Sequence, residues 1–252
     1  MQNNESKIWF ADDGTTFKGA EPYFFDTDDF PWVKEVEAQW TVIRDEMMQQ
    51  LSDDPNKLVP YVNQEMTSRP KQWKTLGLMF WTVKSRANIA LFPKSWEILK
   101  GIPNLTAVSF NLLEQQTTIK PHIGNTNAII RCHLGLIIPD QAPRCGFRVG
   151  EETRSWQNGK FLMFCDAYQH TAWNNTAQQR YIMVVDIMRP EFVNQQLATS
   201  SRVLAGIYHE AAYQRLPLLQ RVFGGKRGQQ FTLALFRVYY RLVLYWSRLF
   251  NR

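Results

Sequence analysis

Several features that would place a chain in a special class are scarce in these 252 residues. There are only three cysteines, none in C-x-x-C spacing, which argues against a secreted disulfide framework or a zinc ribbon and for a reducing compartment. No apolar run reaches the ~20 residues of a membrane-spanning helix, and the N-terminus lacks the features of a signal peptide. We therefore expect a globular cytoplasmic protein, either free or peripheral on the inner face of a membrane.

Acidic residues are almost absent from the end of the chain. Residues 201–252 carry nine basic side chains and one acidic side chain, whereas residues 1–30 carry two basic and seven acidic ones. The formal net charge of +6 therefore describes the C-terminal segment rather than the whole protein. That segment lacks the polar side chains that read bases beside its arginines, so we expect no nucleic-acid partner.

The hydrophobic pattern changes along the chain. Apolar residues recur at helical spacing over residues 32–51, which predicts one amphipathic helix, and proline-rich residues 52–72 indicate a loop. From about residue 104, short apolar runs alternate with turn signals, which favours a mainly β jelly roll, and helix returns after Pro190. We expect a catalytic domain with an N-terminal helical part over residues 1–200, and a basic helical segment over residues 201–252.

Three of the four histidines lie in the β region, close to arginines. Arg131 and His133 share one face of a predicted strand, which is either a solvated outer face or an inner face that would suit a small dicarboxylate. His122 lies at the mouth of a strand and His170 follows another, and two neutral imidazoles from separate strands suit a divalent iron. Asp166 is either a hydrogen-bond partner of His170 or, as turn preferences favour, a turn-initiating residue.

Two segments carry a family resemblance: PHIGNTNAIIRCHLGLIIP and YQHTAWNNTAQQRYIMVVDIMRPE. Together they resemble the aspartyl/asparaginyl β-hydroxylases, a family of 2-oxoglutarate-dependent iron oxygenases, over Val108 to Glu191. The resemblance implies a double-stranded β-helix, an Fe(II) cofactor held by His122 and His170, and 2-oxoglutarate and O2 as co-substrates.

The resemblance also assigns the residues that bind 2-oxoglutarate. Arg180 would anchor its distal carboxylate, and Arg131 and His133 would complete the pocket. Asn111 falls where the family has a small hydroxyl residue, and its amide can also donate a hydrogen bond. Trp73 occupies a position where the animal members have an aromatic residue at the pocket.

One position departs from the usual iron site. Most oxygenases of this type have an acid two residues after the first histidine, and here that residue is Gly124. The animal aspartyl β-hydroxylases share the His-x-Gly pattern, which implies a working site of two histidines and water. The alternative is an inactive relative. Proline hydroxylases and lipid A acyl hydroxylases of the wider family keep the acid, which argues against those substrates.

The resemblance predicts an enzyme that hydroxylates an unactivated C–H bond. The substrate position that it favours is the β-carbon of an Asp/Asn-type side chain in a peptide, protein or amino acid. The alternatives are a hydroxylase of membrane-lipid acyl chains and a non-catalytic, membrane-associated binding protein with the same fold.

Residues 228–252 lie outside the resemblance. There Arg237, Arg241, Arg248 and Arg252 fall within an arc of roughly 60° on a helix that is otherwise apolar. This helix packs on the β domain or on a second copy, or it lies on an anionic membrane.

Overall fold

The computed structural model describes residues 7–250, and side chains as far as residue 247. Its strands are β1 Phe24–Phe25, β2 Val59–Pro60, β3 Trp73–Phe80, β4 Val83–Lys84, β5 Leu105–Leu113, β6 Thr117–His122, β7 Ile129–Ile137, β8 Cys145–Val149, β9 Glu152–Arg154, β10 Phe161–Cys165, β11 His170–Asn174 and β12 Arg180–Met188. Its helices are α1 Pro31–Glu37, α2 Trp40–Asp53, α3 Arg86–Leu91, α4 Pro93–Leu99, α5 Gln196–Arg215, α6 Pro217–Phe223 and α7 Lys226–Phe250.

The described residues form two compact units. Those up to residue 80, with residues 84–189, make up the β unit, and residues 81–83 with those from 190 onwards make up the helical unit. The β unit contains a larger antiparallel sheet in the order β1-β10-β7-β12-β5-β3-β2 and a smaller one in the order β6-β11-β8-β9. The predicted mainly β jelly roll with flanking helices is confirmed.

Alternation along β7 separates two hydrophobic clusters. Ile130, Cys132 and Leu134 belong to the cluster that covers the outer face of the larger sheet, together with the N-terminal helices. Arg131 and His133 therefore face the space between the sheets. The ring of His133 contacts aromatic rings of the inner cluster at 4.9–5.3 Å. The inward orientation of this pair is confirmed, and the alternative of a solvated outer face is wrong.

The single helix expected over residues 32–51 is wrong, because the chain forms α1 and α2 with a break at residues 38–39. Tertiary contacts explain the break. The carboxylate of Glu37 accepts hydrogen bonds from the backbone N–H of Phe161 at 2.8 Å and from Lys160 at 2.6 Å. The turn that follows directs Ile43 and Met47 of α2 into the outer cluster.

The helical unit is built on the packing of α5 against α7. Tyr208 stacks on Tyr240 with ring centroids 5.1 Å apart, and the Thr232 hydroxyl lies 2.9 Å from both His209 Nε2 and the Tyr213 hydroxyl. Within the described part of the chain, no helix is both long enough and apolar enough to cross a bilayer.

Two glycines in the larger sheet differ in the space around their backbone. A Cβ on Gly135 in β7 would lie 2.1 Å from the Gln157 carbonyl oxygen, whereas a Cβ on Gly77 in β3 would meet nothing within 4 Å. We expect Gly135→Ala to lower the free energy of unfolding by about 2 kcal/mol or more, because backbone must move. Gly77→Ala is the matched control, with a change within about 0.5 kcal/mol. Urea denaturation checks both, and equal midpoints would contradict this packing.

Candidate active site

The smaller sheet places two histidines side by side. His122 ends β6, His170 begins β11, and the two are register partners with ring centroids 4.1 Å apart. Each Nδ1 lies 2.8 Å from a carbonyl oxygen two residues earlier, that of Lys120 and that of Tyr168. Because a carbonyl oxygen only accepts, each Nδ1 carries the proton and each Nε2 keeps its lone pair. The pair therefore offers two imidazole ligands.

The surroundings keep both imidazoles neutral. Burial lowers the pKa of His122, and burial followed by the charge of the neighbouring histidine lowers the pKa of His170 well below its usual value. Neutral imidazoles are the form that binds a metal, and they suit ferrous iron. Within residues 7–247 no three His, Cys, Asp or Glu side chains form a metal-binding group. The donor set thus fits a site with two protein ligands.

Asp166 occupies the space beside Gly124. A Cβ on Gly124 would lie 1.7 Å from Asp166 Oδ2, and the Gly124 N–H donates to the Asp166 carbonyl at 2.7 Å. Asp166 Oδ1 lies 3.6 Å from His170 Nε2, and the residue is 1% exposed. An acid therefore does not fit at position 124, and a different acid lies beside the imidazoles. Asp166 is also the first residue of the turn after β10, so the favoured interpretation of Asp166 as a turn-initiating residue is confirmed.

Arg131 joins two buried carboxylates. Its Nη1 donates to Asp166 at 2.6 Å, and its Nε and Nη2 donate to Asp186 at 2.8 Å each. Burial alone would lower the pKa of Arg131, but the two carboxylates outweigh it and raise the pKa. These donors are directed at the aspartates, and a contact between Arg131 and 2-oxoglutarate stays a prediction. Asp186 was not identified as a site residue from the sequence.

A second group of side chains lies inside the barrel around Trp156. The Arg180 guanidinium lies 4.6 Å from the centre of the Trp156 ring, whose Nε1 lies 3.3 Å from His133 Nδ1. Because the indole N–H only donates, His133 Nδ1 accepts and its Nε2 carries the proton. Burial, followed by the charge of Arg180, lowers the pKa of His133 well below its usual value. His133 is therefore a neutral donor.

Trp73 and Asn111 form a third group. Trp73 Nε1 donates to Asn111 Oδ1 at 3.1 Å, and the Asn111 amide donates to the Ser109 hydroxyl at 2.8 Å. Tyr61 stacks on Trp73 at 3.8 Å and lies within electrostatic reach of Arg131. Sequence reasoning missed Tyr61 because nothing in its proline-rich loop marks it.

The site residues coincide with a family match. The sequence model of the family described as aspartyl/asparaginyl beta-hydroxylase matches residues 37–190, a span that contains every site residue named above. The chain belongs to this family. The site is therefore that of a member of a hydroxylase family, and the resemblance seen in the sequence is confirmed.

Two curated relatives show the range of this aspartyl/asparaginyl beta-hydroxylase family. An ornithine lipid ester-linked acyl 2-hydroxylase of Rhizobium tropici is 36% identical over 176 residues, which are 69% of this chain and 63% of that protein. The human aspartyl/asparaginyl beta-hydroxylase is 31% identical over 171 residues, 65% of this chain and 22% of that protein. This chain thus spans less than two thirds of either relative. Among solved structures, a Pseudomonas putida prolyl-4-hydroxylase aligns with 63% of this chain and 98% of its own, at 13% identity and a TM-score of 0.41.

Buried neutral histidines predict a stability that falls on acidification. The folded-state pKa of His133 lies below that of the unfolded chain, about 6.5, so below that pH the unfolded state takes up a proton that the folded state does not. The unfolding free energy should then fall by up to about 1.4 kcal/mol per pH unit for each such histidine. We expect His133→Gln to make this pH dependence shallower in urea denaturation at pH 7.5, 6.5 and 5.5. The control His209→Gln, in the helical unit, should change it less. If the unfolding free energy of His133→Gln depends on pH as steeply as that of wild type, the assignment of His133 as a buried neutral imidazole is contradicted.

Proposed function

We propose that this protein is an iron(II)- and 2-oxoglutarate-dependent dioxygenase that hydroxylates an unactivated C–H bond. The observation that carries the proposal is the state of Arg180. It is 1% exposed, its Nε has no hydrogen-bond partner, and no carboxylate among the described residues pairs with it. Burial lowers its pKa to about 10, so it stays charged at neutral pH. A small dicarboxylate would supply the missing counter-charge.

Neighbouring groups fit the same ligand. The Trp156 ring lies against the Arg180 guanidinium and restricts its movement. His133 presents an Nε2–H donor whose tautomer is fixed by the indole of Trp156. A carboxylate near Arg180 would then meet a cation and a neutral donor. This arrangement favours a dianionic keto acid over a neutral metabolite.

His122 and His170 would hold the iron through Nε2. When bound together, ferrous iron and 2-oxoglutarate supply the oxidation: the keto acid becomes succinate and carbon dioxide, and the second oxygen atom of O2 enters the substrate C–H bond. The chain itself contributes positioning. The carbonyls of Lys120 and Tyr168 orient the imidazoles, and Arg131 holds Asp166 beside them.

The first substrate class that we propose is the β-carbon of an Asp/Asn-type side chain in a peptide, protein or amino acid. Support comes from the family match and from Gly124, which leaves this site without the acid that other hydroxylases place there. A second candidate is the acyl chain of a membrane lipid. It is favoured by the match to the Rhizobium tropici protein, whose name states acyl 2-hydroxylation of ornithine lipid.

An Arg180→Met variant tests whether Arg180 binds 2-oxoglutarate or stabilises the folded protein. We expect the apparent Kd for 2-oxoglutarate, measured with Mn(II) in place of iron, to rise about a hundredfold, because the buried cation is lost. We also expect the Tm of the ligand-free protein to rise by about 2–4 °C, since an uncompensated buried charge is removed. Arg148→Met, an exposed arginine of β8, is the control with neither effect. Unchanged 2-oxoglutarate affinity in Arg180→Met would overturn the assignment.

The substrate is identified by mass spectrometry. Wild type and His122→Ala are each incubated with Fe(II), ascorbate and 2-oxoglutarate and with peptide, amino-acid or lipid pools. We expect wild type alone to release succinate and to add one oxygen atom, ~16 Da, to its substrate. A gain on Asp or Asn residues supports the first class, and a gain on acyl chains supports the second. If none of the pools supports iron-dependent release of succinate, the assignment as a dioxygenase is contradicted.

A further inference from the structure

One side of α7 presents large apolar side chains to solvent. They recur at intervals of three and four residues, each 52–59% exposed, and we call them the α7 apolar face: Phe231, Leu235, Val238, Leu242 and Tyr245. This spacing puts all five on one stripe of the helix. A helix of a water-soluble domain normally buries such a stripe, and a contiguous exposed one marks an interaction surface.

The α5–α7 packing does not use this stripe. The side of α7 that meets α5 carries Thr232, Phe236 and Tyr240, which contact His209 and Tyr208. Helix α7 therefore has two apolar sides, and α5 covers one of them. The other side is exposed within the helical unit.

The exposed apolar surface continues onto α6. Leu218 and Val222 are 71% and 60% exposed, and the ring of Phe223 contacts that of Phe231 at 6.3 Å. Exposed basic side chains lie beside this surface by helical spacing, namely Arg221 on α6 and Arg227 and Arg241 on α7. By helical geometry Arg241 lies roughly 80° round α7 from the centre of the stripe, at its edge. Of the four arginines predicted to share one arc, Arg248 has no described side chain and Arg252 lies outside the described residues.

We propose that the α7 apolar face, with Leu218 and Val222 of α6, lies in the headgroup region of an anionic lipid bilayer. Half-exposed leucine, valine and phenylalanine side chains would enter the acyl boundary, and arginines at the edge of the stripe would reach lipid phosphates. Tyr239 and Trp246, 60% and 54% exposed, flank the stripe on its other side and suit the headgroup level.

Charge decides between a bilayer and a second copy of this chain. The stripe has the spacing of a coiled-coil seam, but it extends over about two heptads, fewer than the three or four that such pairing normally needs. Helix α7 contains no Asp or Glu, and residues 201–252 contain one. Pairing of α7 with the α7 of a second copy would therefore bring arginines together without acidic partners on that helix. Anionic lipid supplies the missing negative charge across the whole surface, at about 1 kcal/mol per basic residue.

This proposal is independent of which C–H bond is hydroxylated, and it is tested without catalysis. The full chain is sedimented with vesicles of phosphatidylcholine containing about one third phosphatidylglycerol, and with vesicles of phosphatidylcholine alone. We expect binding to the anionic vesicles that weakens with salt. Leu235→Gln/Leu242→Gln should lower the partition coefficient about tenfold or more, because two apolar side chains no longer enter the bilayer. Val42→Gln/Met48→Gln, a pair of exposed apolar residues on α2, is the matched control and should bind as wild type does.

Circular dichroism checks that the glutamine variant folds. If it does not fold, a charge-reversal pair provides a second test of the proposal. Arg227→Glu/Arg241→Glu leaves the apolar face intact, and we expect it to abolish the preference for anionic vesicles. Lys18→Glu/Lys94→Glu makes the same charge change in the β unit and should retain that preference. Failure of the wild type to bind anionic vesicles would overturn the proposal. So would a wild-type dimer in light scattering that Leu235→Gln/Leu242→Gln converts to monomer, because the face would then bind a second copy.

Discussion

The Arg131 guanidinium lies between two carboxylates that come from different parts of the chain. Asp186 is its register partner on β12, and Asp166 lies in the turn after β10. Removal of the cation would leave two like charges buried together, a large cost, so the turn after β10 is held against β7. The carbonyl of Asp166 accepts from Gly124, and His170 begins the strand that follows. The segments that carry both candidate ligands are thus tied to one ion cluster.

Two arginines inside the same barrel have opposite environments. Arg131 has two carboxylate partners, which raise its pKa despite burial, whereas burial lowers the pKa of Arg180 and no carboxylate among the described residues compensates for it. The first belongs to a structural ion cluster, and the second is the cation that we propose to bind a carboxylate from solution. A site that binds a small anion needs an unsatisfied charge of this kind, at a cost in stability of the empty protein.

Much of the barrel and the placement of its polar residues could be predicted from the sequence. Period-two alternation correctly sends Arg131 and His133 between the sheets, because a strand allows only two faces. The partners of these residues could not be predicted, since Asp166 and Asp186 lie 35 and 55 residues further along the chain. Strand register and the path of a turn decide such contacts. The break between α1 and α2 was missed for the same reason, because it depends on the hydrogen bond that the Phe161 N–H of β10 donates to the Glu37 carboxylate.

The two anions that we propose as partners differ in size, because the basic side chains that would bind them differ in burial. Arg180 is buried, so its partner must be small enough to enter the barrel, and a single carboxylate satisfies it. Arg221, Arg227 and Arg241 are exposed beside apolar side chains, so a small anion in solution would neutralise one of them and leave the apolar surface in water. An extended anionic surface with an apolar interior would satisfy charge and hydrophobicity together, which is why we propose a lipid bilayer as the partner.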